Sequence, residues 1–149
     1  MTQDEIFMSA ALAEAQKAAF AGEVPVGAAI VKDGKVISVG RNTKETKGIA
    51  TGHAEIEAIE TACYALGTWR LSDCTLYVTL EPCPMCAGAI VNARVGRVVF
   101  GTSDPKAGAM GSVLNFNAYP LNHKPEIASG VLEDECSKIL SAFFASKRK

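Results

Sequence analysis

Two short motifs supply three soft metal ligands and one spare carboxylate in this chain of 149 residues. The first motif is His53-Ala54-Glu55, and the second is Pro82-Cys83-Pro84-Met85-Cys86. Zn²⁺ favours imidazole nitrogen and thiolate sulfur, and a catalytic zinc site has three protein ligands with the fourth position left to water. The fold must therefore bring His53, Cys83 and Cys86 to one Zn²⁺ ion.

Glu55 is a carboxylate that this ligand set does not need. A bound Zn²⁺ ion acidifies its water enough to supply hydroxide near neutral pH. Because Glu55 follows the histidine by two residues, its carboxylate can reach the same cavity, take a proton from the water and deliver it to a ring nitrogen and then to departing ammonia. The pattern predicts a zinc hydrolase, and H-x-E with P-C-x-x-C is the known signature of zinc nucleobase deaminases.

Other interpretations of the cysteine pair explain less of the sequence. A lone C-x-x-C is typical of a dithiol redox pair or of half a structural zinc site. A redox pair leaves His53 and Glu55 without a role, and a structural site needs a fourth protein ligand. The chain offers four candidates for that ligand: Cys63, Cys74, Cys136 and His123. The two motifs together favour the open, catalytic site.

Composition predicts one compact enzyme domain spanning residues 1–149, since 48% hydrophobic and 21% charged residues suit a single packed core. We expect a cytoplasmic protein with no membrane partner, because the sequence contains no bilayer-spanning stretch and residues 1–5 lack the features of a signal peptide. Five cysteines with no disulfide framework fit a reducing compartment. A net charge of −1 is not typical of a general nucleic-acid binder, so any RNA recognition must be local.

The apolar patterns predict alternating helices and strands. The predicted elements are a helix from the capping box at residues 2–5 to Gly22, strands at 26–31 and 36–41, a loop at 42–52, a helix from about His53 to Gly67, a strand at 75–80, a helix at 85–93, a strand at 97–101, a short strand at 127–132 and a C-terminal amphipathic helix. The strand–helix–strand unit predicts a parallel pair. We therefore expect an α/β fold with α/β/α layers and a mixed sheet of about five strands.

Segments beyond the two motifs carry a family resemblance. They are Glu23–Ala28, Gly67–Leu71, Leu76–Gly88, Asp104–Lys106, Asn122–His123 and Gly130–Leu132. In these residues the chain resembles the cytidine deaminase-like superfamily, and nearly its whole length is similar to the bacterial tRNA adenosine deaminases. The resemblance implies a three-layer cytidine deaminase-like fold, one Zn²⁺ ion per chain, and a homodimer whose interface helps to form each active site. It also implies that the substrate is the wobble adenosine of a tRNA anticodon loop, which is hydrolysed to inosine with release of ammonia.

The resemblance also assigns roles to individual residues. It implies that His53, Cys83 and Cys86 bind zinc and that Glu55 moves protons. It gives substrate roles to five further residues. Asn42 would hydrogen-bond the flipped nucleoside, the backbone near Ala54 and Pro82 would line the pocket, and Asp104 and Lys106 would contact the flanking nucleotides. By residue type alone, Asn42 and Asp104 are ordinarily turn residues and Lys106 is ordinarily solvated.

Two other functions share parts of this pattern. A small-molecule nucleobase deaminase acting on guanine or cytosine would carry the same H-x-E and P-C-x-x-C motifs, although residues 69–88 and the loop at 101–111 resemble the tRNA enzymes more closely. A non-catalytic, zinc-stabilised RNA-binding subunit would keep the ligands. Glu55 argues against that subunit, because a binding protein has no need of a carboxylate beside the metal.

Overall fold

A five-stranded mixed sheet covered by helices on both faces forms the core of the computed structural model, which describes residues 1–147. The elements are α1 (Gln3–Phe20), β1 (Gly27–Lys32), β2 (Lys35–Arg41), α2 (Lys44–Lys47), α3 (Ala54–Leu66), β3 (Cys74–Leu80), α4 (Pro84–Ala93), β4 (Arg97–Thr102), a 3₁₀ turn (Phe116–Ala118), β5 (Glu126–Ser129) and α5 (Glu133–Lys147). The strand order is β2-β1-β3-β4-β5, with β1 antiparallel to both neighbours and β3, β4 and β5 parallel. The predicted mixed sheet and its β3–α4–β4 crossover are confirmed.

Alternate side chains along the strands divide the core into two layers, because successive strand residues point to opposite faces of a sheet. One face packs on α3 and α4. Its buried strand residues are Ala28, Ile30, Cys74, Leu76, Val78, Val98 and Phe100. The other face packs on α1 and α5. Its strand residues are Ala29, Val31, Tyr77 and Val99. The result is the predicted three-layer α/β/α arrangement.

Gly40 sets the distance between the sheet and α3. A Cβ atom at this position would lie 2.3 Å from the carbonyl oxygen of Ala54 and 2.7 Å from the backbone nitrogen of Ala58. Both atoms belong to the backbone and have no room to move aside. Gly27 makes the same kind of contact on the other face, where a Cβ atom would lie 1.9 Å from the carbonyl oxygen of Ala11 in α1.

Two predicted boundaries were wrong. The predicted loop at 42–52 contains the short helix α2, which is held by contacts from a distant part of the chain. The predicted last strand at 127–132 ends at Ser129, because Gly130 and Leu132 have φ angles of 84° and 51° that turn the chain into α5.

The structure also tests the predictions for the N-terminal capping box and for the cysteines outside the ligand motif. The predicted capping box is present at the start of α1, where Thr2 and Glu5 exchange hydrogen bonds. The apolar faces that carry Cys63, Cys74 and Cys136 in the sequence predict three small core residues; Cys74 and Cys136 are buried, whereas Cys63 is only half-buried. Within residues 1–147, every helix is too short or too polar to cross a membrane.

Candidate metal centre and substrate pocket

The N-termini of α3 and α4 meet beside the end of β3 and bring the two motifs together. His53 is the N-cap residue of α3, Cys83 is the N-cap residue of α4, and Cys86 lies in the first turn of α4. Nδ1 of His53 lies 3.6 Å from Sγ of Cys83 and 3.5 Å from Sγ of Cys86. We call these three residues the ligand trio.

The spacing of the ligand trio suits a tetrahedral metal ion. All three ligand atoms lie within 4.8 Å of one another. Zn–N and Zn–S bonds of about 2.1 and 2.3 Å at the tetrahedral angle place nitrogen and sulfur ligands about 3.6 Å apart. The distances from His53 to the two cysteines match this value, so the residues present fit Zn²⁺.

The candidate fourth ligands lie elsewhere in the fold. Of the residues that the structure describes, only the ligand trio forms a cluster of three or more groups that could hold a metal ion. Cys136 packs on the opposite face of the sheet, and Cys74 begins the strand whose other end reaches the site. Nε2 of His123 is 2.6 Å from the carbonyl oxygen of Val95. This geometry argues against a closed structural site.

The hydrogen bond between the two thiols of the ligand trio shifts their pKa values in opposite directions. A hydrogen bond from Cys86, supported by one from His53, lowers the pKa of Cys83 to about 4. The same bond to Cys83, together with burial, raises the pKa of Cys86 above its ordinary value. The hydrogen bond with Cys83 also raises the pKa of His53. Zinc ligands bind in their deprotonated forms, so a bound dication would displace protons from the thiols of the trio.

Glu55 lies in the first turn of α3 and is only 4% exposed. Burial is the largest influence on its carboxyl group and raises its pKa to about 7, with a further increase from the Cys83 thiolate. Hydrogen bonds from its own backbone N–H and from Cys86 offset part of that increase. A carboxyl group with a pKa near neutrality can both accept and release a proton under physiological conditions.

A cavity of about 230 Å³ opens in front of these groups. Its lining residues are Val24, Val26, Asn42, Lys44, His53, Ala54, Glu55, Leu80, Glu81, Cys83, Asp104 and Ala107. Pockets for drug-sized ligands usually measure about 300–1,000 Å³. The smaller volume here suits a single planar ring system, with metal ligands and a proton carrier on one side.

The structure places three of the five predicted substrate residues in this cavity. Asn42, Ala54 and Asp104 line it. Pro82 is buried and is not among the lining residues, and Lys106 lies in a neighbouring groove that shares Asp104 with the cavity. Contacts between any of these residues and a substrate remain predictions.

Asn42 and Asp104 both use their side chains within local turns. Oδ1 of Asn42 accepts from the backbone N–H of Lys44 at 3.1 Å, and its amide donates a long 3.3 Å hydrogen bond to the carbonyl of Val24. Oδ1 of Asp104 accepts from the backbone N–H of Lys106 at 3.0 Å. Since the bond from Asn42 to Val24 is weak, the amide of Asn42 is the group that a ligand could recruit most easily.

Two buried glutamates beside the cavity were not recognised in the sequence as functional residues. Glu23 is 1% exposed and accepts three hydrogen bonds from Glu45 and Thr46 in α2, and Glu81 is 2% exposed and accepts four from residues 104–112. Burial raises the pKa of each carboxyl group, but these hydrogen bonds outweigh it and hold both pKa values below 4.5. For Glu81, its place directly after an apolar strand was the available signal. The donors lie 22 to 31 residues away, so the partners could not be identified from local pattern.

Comparison with known proteins shows close relatives along the whole chain. Residues 1–148 match the MafB19-like deaminase family. The tRNA-specific adenosine deaminase of Bacillus subtilis (strain 168) is 54% identical over an aligned length of 150, which covers 100% of this chain and 93% of that protein. A solved structure from studies of A-to-I editing by tRNA:A34 deaminases superimposes with a TM-score of 0.88 at 47% identity, covering 91% of this chain and 99% of the other.

A more distant structural neighbour has a different substrate. The guanine deaminase of Nitrosomonas europaea superimposes with a TM-score of 0.80 over 95% of this chain and 84% of its own, at 26% identity. The shared fold therefore occurs in deaminases of more than one nucleobase. The chain is more similar in sequence to the tRNA:A34 deaminase, at 47% identity, than to the guanine deaminase, at 26%.

Proposed function

The chain belongs to the MafB19-like deaminase family, and on that premise we propose that it hydrolyses the wobble adenosine of a tRNA anticodon to inosine, with release of ammonia. The observation that carries the proposal is the ligand trio facing a buried Glu55 in a cavity of about 230 Å³. The identity of 54% to a tRNA-specific adenosine deaminase, against 26% to a guanine deaminase, favours the tRNA substrate over a free base.

We infer that His53, Cys83 and Cys86 hold one Zn²⁺ ion. Nitrogen and sulfur donors are the ligands that Zn²⁺ prefers, and three of them leave one position open. When bound there, Zn²⁺ acts as a Lewis acid that lowers the pKa of water toward neutrality and so supplies a nucleophile.

Glu55 performs the proton transfers in this proposal. Its carboxylate takes a proton from the attacking water and delivers it to N1 of the adenine ring as the C6–O bond forms. It then transfers the second proton of that water to the exocyclic nitrogen, which leaves as ammonia when the C6–N bond breaks. Because the pKa of Glu55 is about 7, both directions of transfer are accessible near neutral pH.

Only a nucleobase that is unpaired and unstacked can enter this cavity. Enzymes that modify a nucleobase act on single-stranded substrate or flip the target nucleotide into a pocket, and an anticodon loop presents unpaired bases. We propose that Asn42 and the backbone of Ala54 and Pro82 meet the target base, while Asp104 and Lys106 meet its neighbours. This recognition is local, in keeping with a net charge of −1.

We also propose that the chain acts as a single-domain homodimer in the cytoplasm. Support for the dimer comes from aromatic side chains exposed near α3, where Tyr64 is 89% and Trp69 is 55% exposed. A groove beside them is lined by apolar residues of α3 and α4, including Ile56 and Ile59. The tRNA substrate supports the cytoplasmic location. Sedimentation equilibrium would test the dimer directly by giving twice the 15.7 kDa mass of the chain.

One assay tests the proposed reaction. The zinc-loaded protein is incubated with an anticodon stem-loop carrying a wobble adenosine, with the same stem-loop carrying its only loop adenosine at another position, and with free guanine, cytosine and cytidine. Inosine should form only in the first substrate. Release of ammonia from a free base, with both stem-loops unchanged, would instead identify a small-molecule deaminase.

A further inference from the structure

Glu81 is a buried carboxylate that binds a distant, irregular segment of the chain. Oε1 accepts from the backbone N–H of Asp104 at 3.0 Å and from the hydroxyl of Ser112 at 2.5 Å. Oε2 accepts from the backbone N–H of Met110 at 2.9 Å and from that of Ser112 at 3.1 Å. All four donors lie in residues 104–112, which we call the wall segment.

This carboxylate and a set of loop backbone hydrogen bonds together hold the wall segment. Apart from a single bridge at Met110, it contains no helix or strand that could hold it by backbone pairing. Gly108 packs directly against the carboxyl group, since a Cβ atom there would lie 2.4 Å from Cδ of Glu81 and 2.5 Å from each oxygen. The segment therefore wraps around Glu81, and only glycine fits at position 108.

The position of Glu81 links the wall segment to the metal centre. Glu81 is two residues before Cys83, and the carbonyl of the intervening Pro82 accepts a hydrogen bond from Ala109 at 2.8 Å. Asp104 and Ala107 line the cavity together with Cys83. Residues 81–83 thus carry both a predicted metal ligand, Cys83, and the carboxylate that binds the wall segment. This arrangement fixes the position of the wall segment relative to the metal centre.

The chemistry of Glu81 suits positioning. Within residues 1–147, the structure gives Glu81 no ion pair, so its charge is balanced by oriented N–H and O–H donors. A buried carboxylate bound by several donors specifies one arrangement of those donors, because leaving any of them unpaired carries a desolvation cost.

We propose that Glu81 is a positioning residue for substrate recognition: it holds the wall segment so that Asp104 and Lys106 meet the nucleotides beside the target base. This inference rests on the proposed function, since it concerns how the RNA is held. It places Glu81 outside the chemical step, so a defect at Glu81 weakens binding of the stem-loop and leaves turnover of the bound substrate intact.

The test is a kinetic comparison of Glu81→Gln with wild type on the wobble-adenosine stem-loop. Glutamine keeps the size of the side chain but presents an N–H group to at least one of the wall donors. We expect KM for the stem-loop to rise about tenfold, which corresponds to loss of one charge-assisted hydrogen bond. The value of kcat should stay within about threefold of wild type, and zinc content should be unchanged. Glu126→Gln, at an exposed position on β5, is the matched control and should leave KM unchanged.

Gly108→Ala provides an independent variant that perturbs the same contact from the other side. It should raise KM by a similar factor, and the double variant should be no worse than the more damaging single variant, because both break one contact. The inference is overturned if both variants keep the wild-type KM, or if kcat falls while KM does not change. If Glu81→Gln does not fold, the KM of Gly108→Ala decides the question. Failure of wild type to form inosine would refute the proposed function instead, which separates the two outcomes.

Discussion

Two buried glutamates, Glu55 beside the ligand trio and Glu81 beside the wall segment, sit in opposite electrostatic surroundings. Their exposed fractions are nearly equal, at 4% and 2%. Burial raises the pKa of Glu55 to about 7, whereas four donors hold the pKa of Glu81 below its ordinary value despite burial. Burial alone therefore does not set the behaviour of a carboxylate in this fold.

The difference lies in how far hydrogen-bond donors offset burial. Burial is the largest cause of the raised pKa of Glu55, and the negative charge of Cys83 adds to it. Glu81 faces N–H and O–H groups whose dipoles stabilise the ionised form. One residue type thus supplies a group that can exchange protons and a group that keeps its charge and fixes a loop, and the predictions below test this contrast.

The largest expected effect is on turnover in Glu55→Gln. Glutamine cannot accept the proton from water, so kcat for inosine formation should fall by about 10²–10⁴-fold, the range typical of lost general acid–base catalysis. Single-turnover formation of inosine at saturating protein measures the loss. KM for the stem-loop and zinc content should remain near wild type, because Glu55 is not a predicted ligand.

The control for this variant is Glu126→Gln at an exposed position on β5, which should turn over as wild type does. If Glu55→Gln lost its zinc together with its activity, Glu55 would be acting as a ligand or as a support for the ligand trio. Retention of wild-type turnover by Glu55→Gln would remove Glu55 from the chemistry altogether.

The two glutamates also differ in how far the sequence predicted them. The ligand trio and Glu55 lie within two motifs whose residue types and spacing carry their chemistry, so their convergence on one site could be predicted. The strands and long helices could be predicted as well, because apolar periodicity follows burial. Glu23 and Glu81 could not be assigned partners, because most of their donors are backbone N–H groups of α2 and of the wall segment, and every residue except proline has one.

The next effect is a pair of opposite pH dependences in the stability of the metal-free protein. Since the native pKa of Glu55 lies above the unfolded value of 4.5, the native state keeps a proton that the unfolded chain releases between pH 4.5 and about 7. Glu55 therefore costs stability as pH rises through this window, by about 3 kcal/mol at about 1.4 kcal/mol for each pH unit. The native pKa of Glu81 is lowered, so Glu81 contributes stability above pH 4.5 that is lost as pH falls through its native pKa.

Urea unfolding of wild type, Glu55→Gln and Glu81→Gln between pH 4 and pH 8 measures both pH dependences of the unfolding free energy. Subtracting each variant from wild type cancels the other titrating groups. Glu55→Gln should gain stability relative to wild type as pH rises from 4.5 to 7. Glu81→Gln should be less stable than wild type above pH 4.5, with a difference that shrinks at lower pH. Parallel curves for the two variants would mean that their surroundings do not differ.

A smaller effect on stability and zinc affinity is expected from Gly40→Ala, which disturbs the surroundings of the ligand trio and Glu55 but not those of Glu81. Its Cβ atom would press on backbone atoms of Ala54 and Ala58 and move α3, whose N-cap residue is His53. Overpacking of this kind costs about 1–3 kcal/mol of unfolding free energy, and the displaced helix should also bind zinc more weakly. Gly27→Ala makes an equivalent clash with α1 and should lower stability without weakening zinc binding.

Thermal unfolding and competition with a zinc chelator distinguish these two glycine variants. Equal loss of zinc affinity in both would show that the position of α3 is not set by Gly40.

The smallest effect is expected from Ser112→Ala, which removes one of the four donors to Glu81 while keeping the backbone N–H of the same residue. Ser112 is exposed, so water can replace the lost hydroxyl, and the cost should stay below about 1 kcal/mol. KM for the stem-loop should therefore rise less than about fivefold, with Ser141→Ala on the exposed face of α5 as a control that changes nothing. An effect as large as that of Glu81→Gln would mean that the hydroxyl alone holds the wall segment. A graded loss of stem-loop affinity is expected because four hydrogen bonds together hold the wall segment to Glu81. At Glu55 a single carboxyl group transfers the proton, so no remaining contact can replace part of its role.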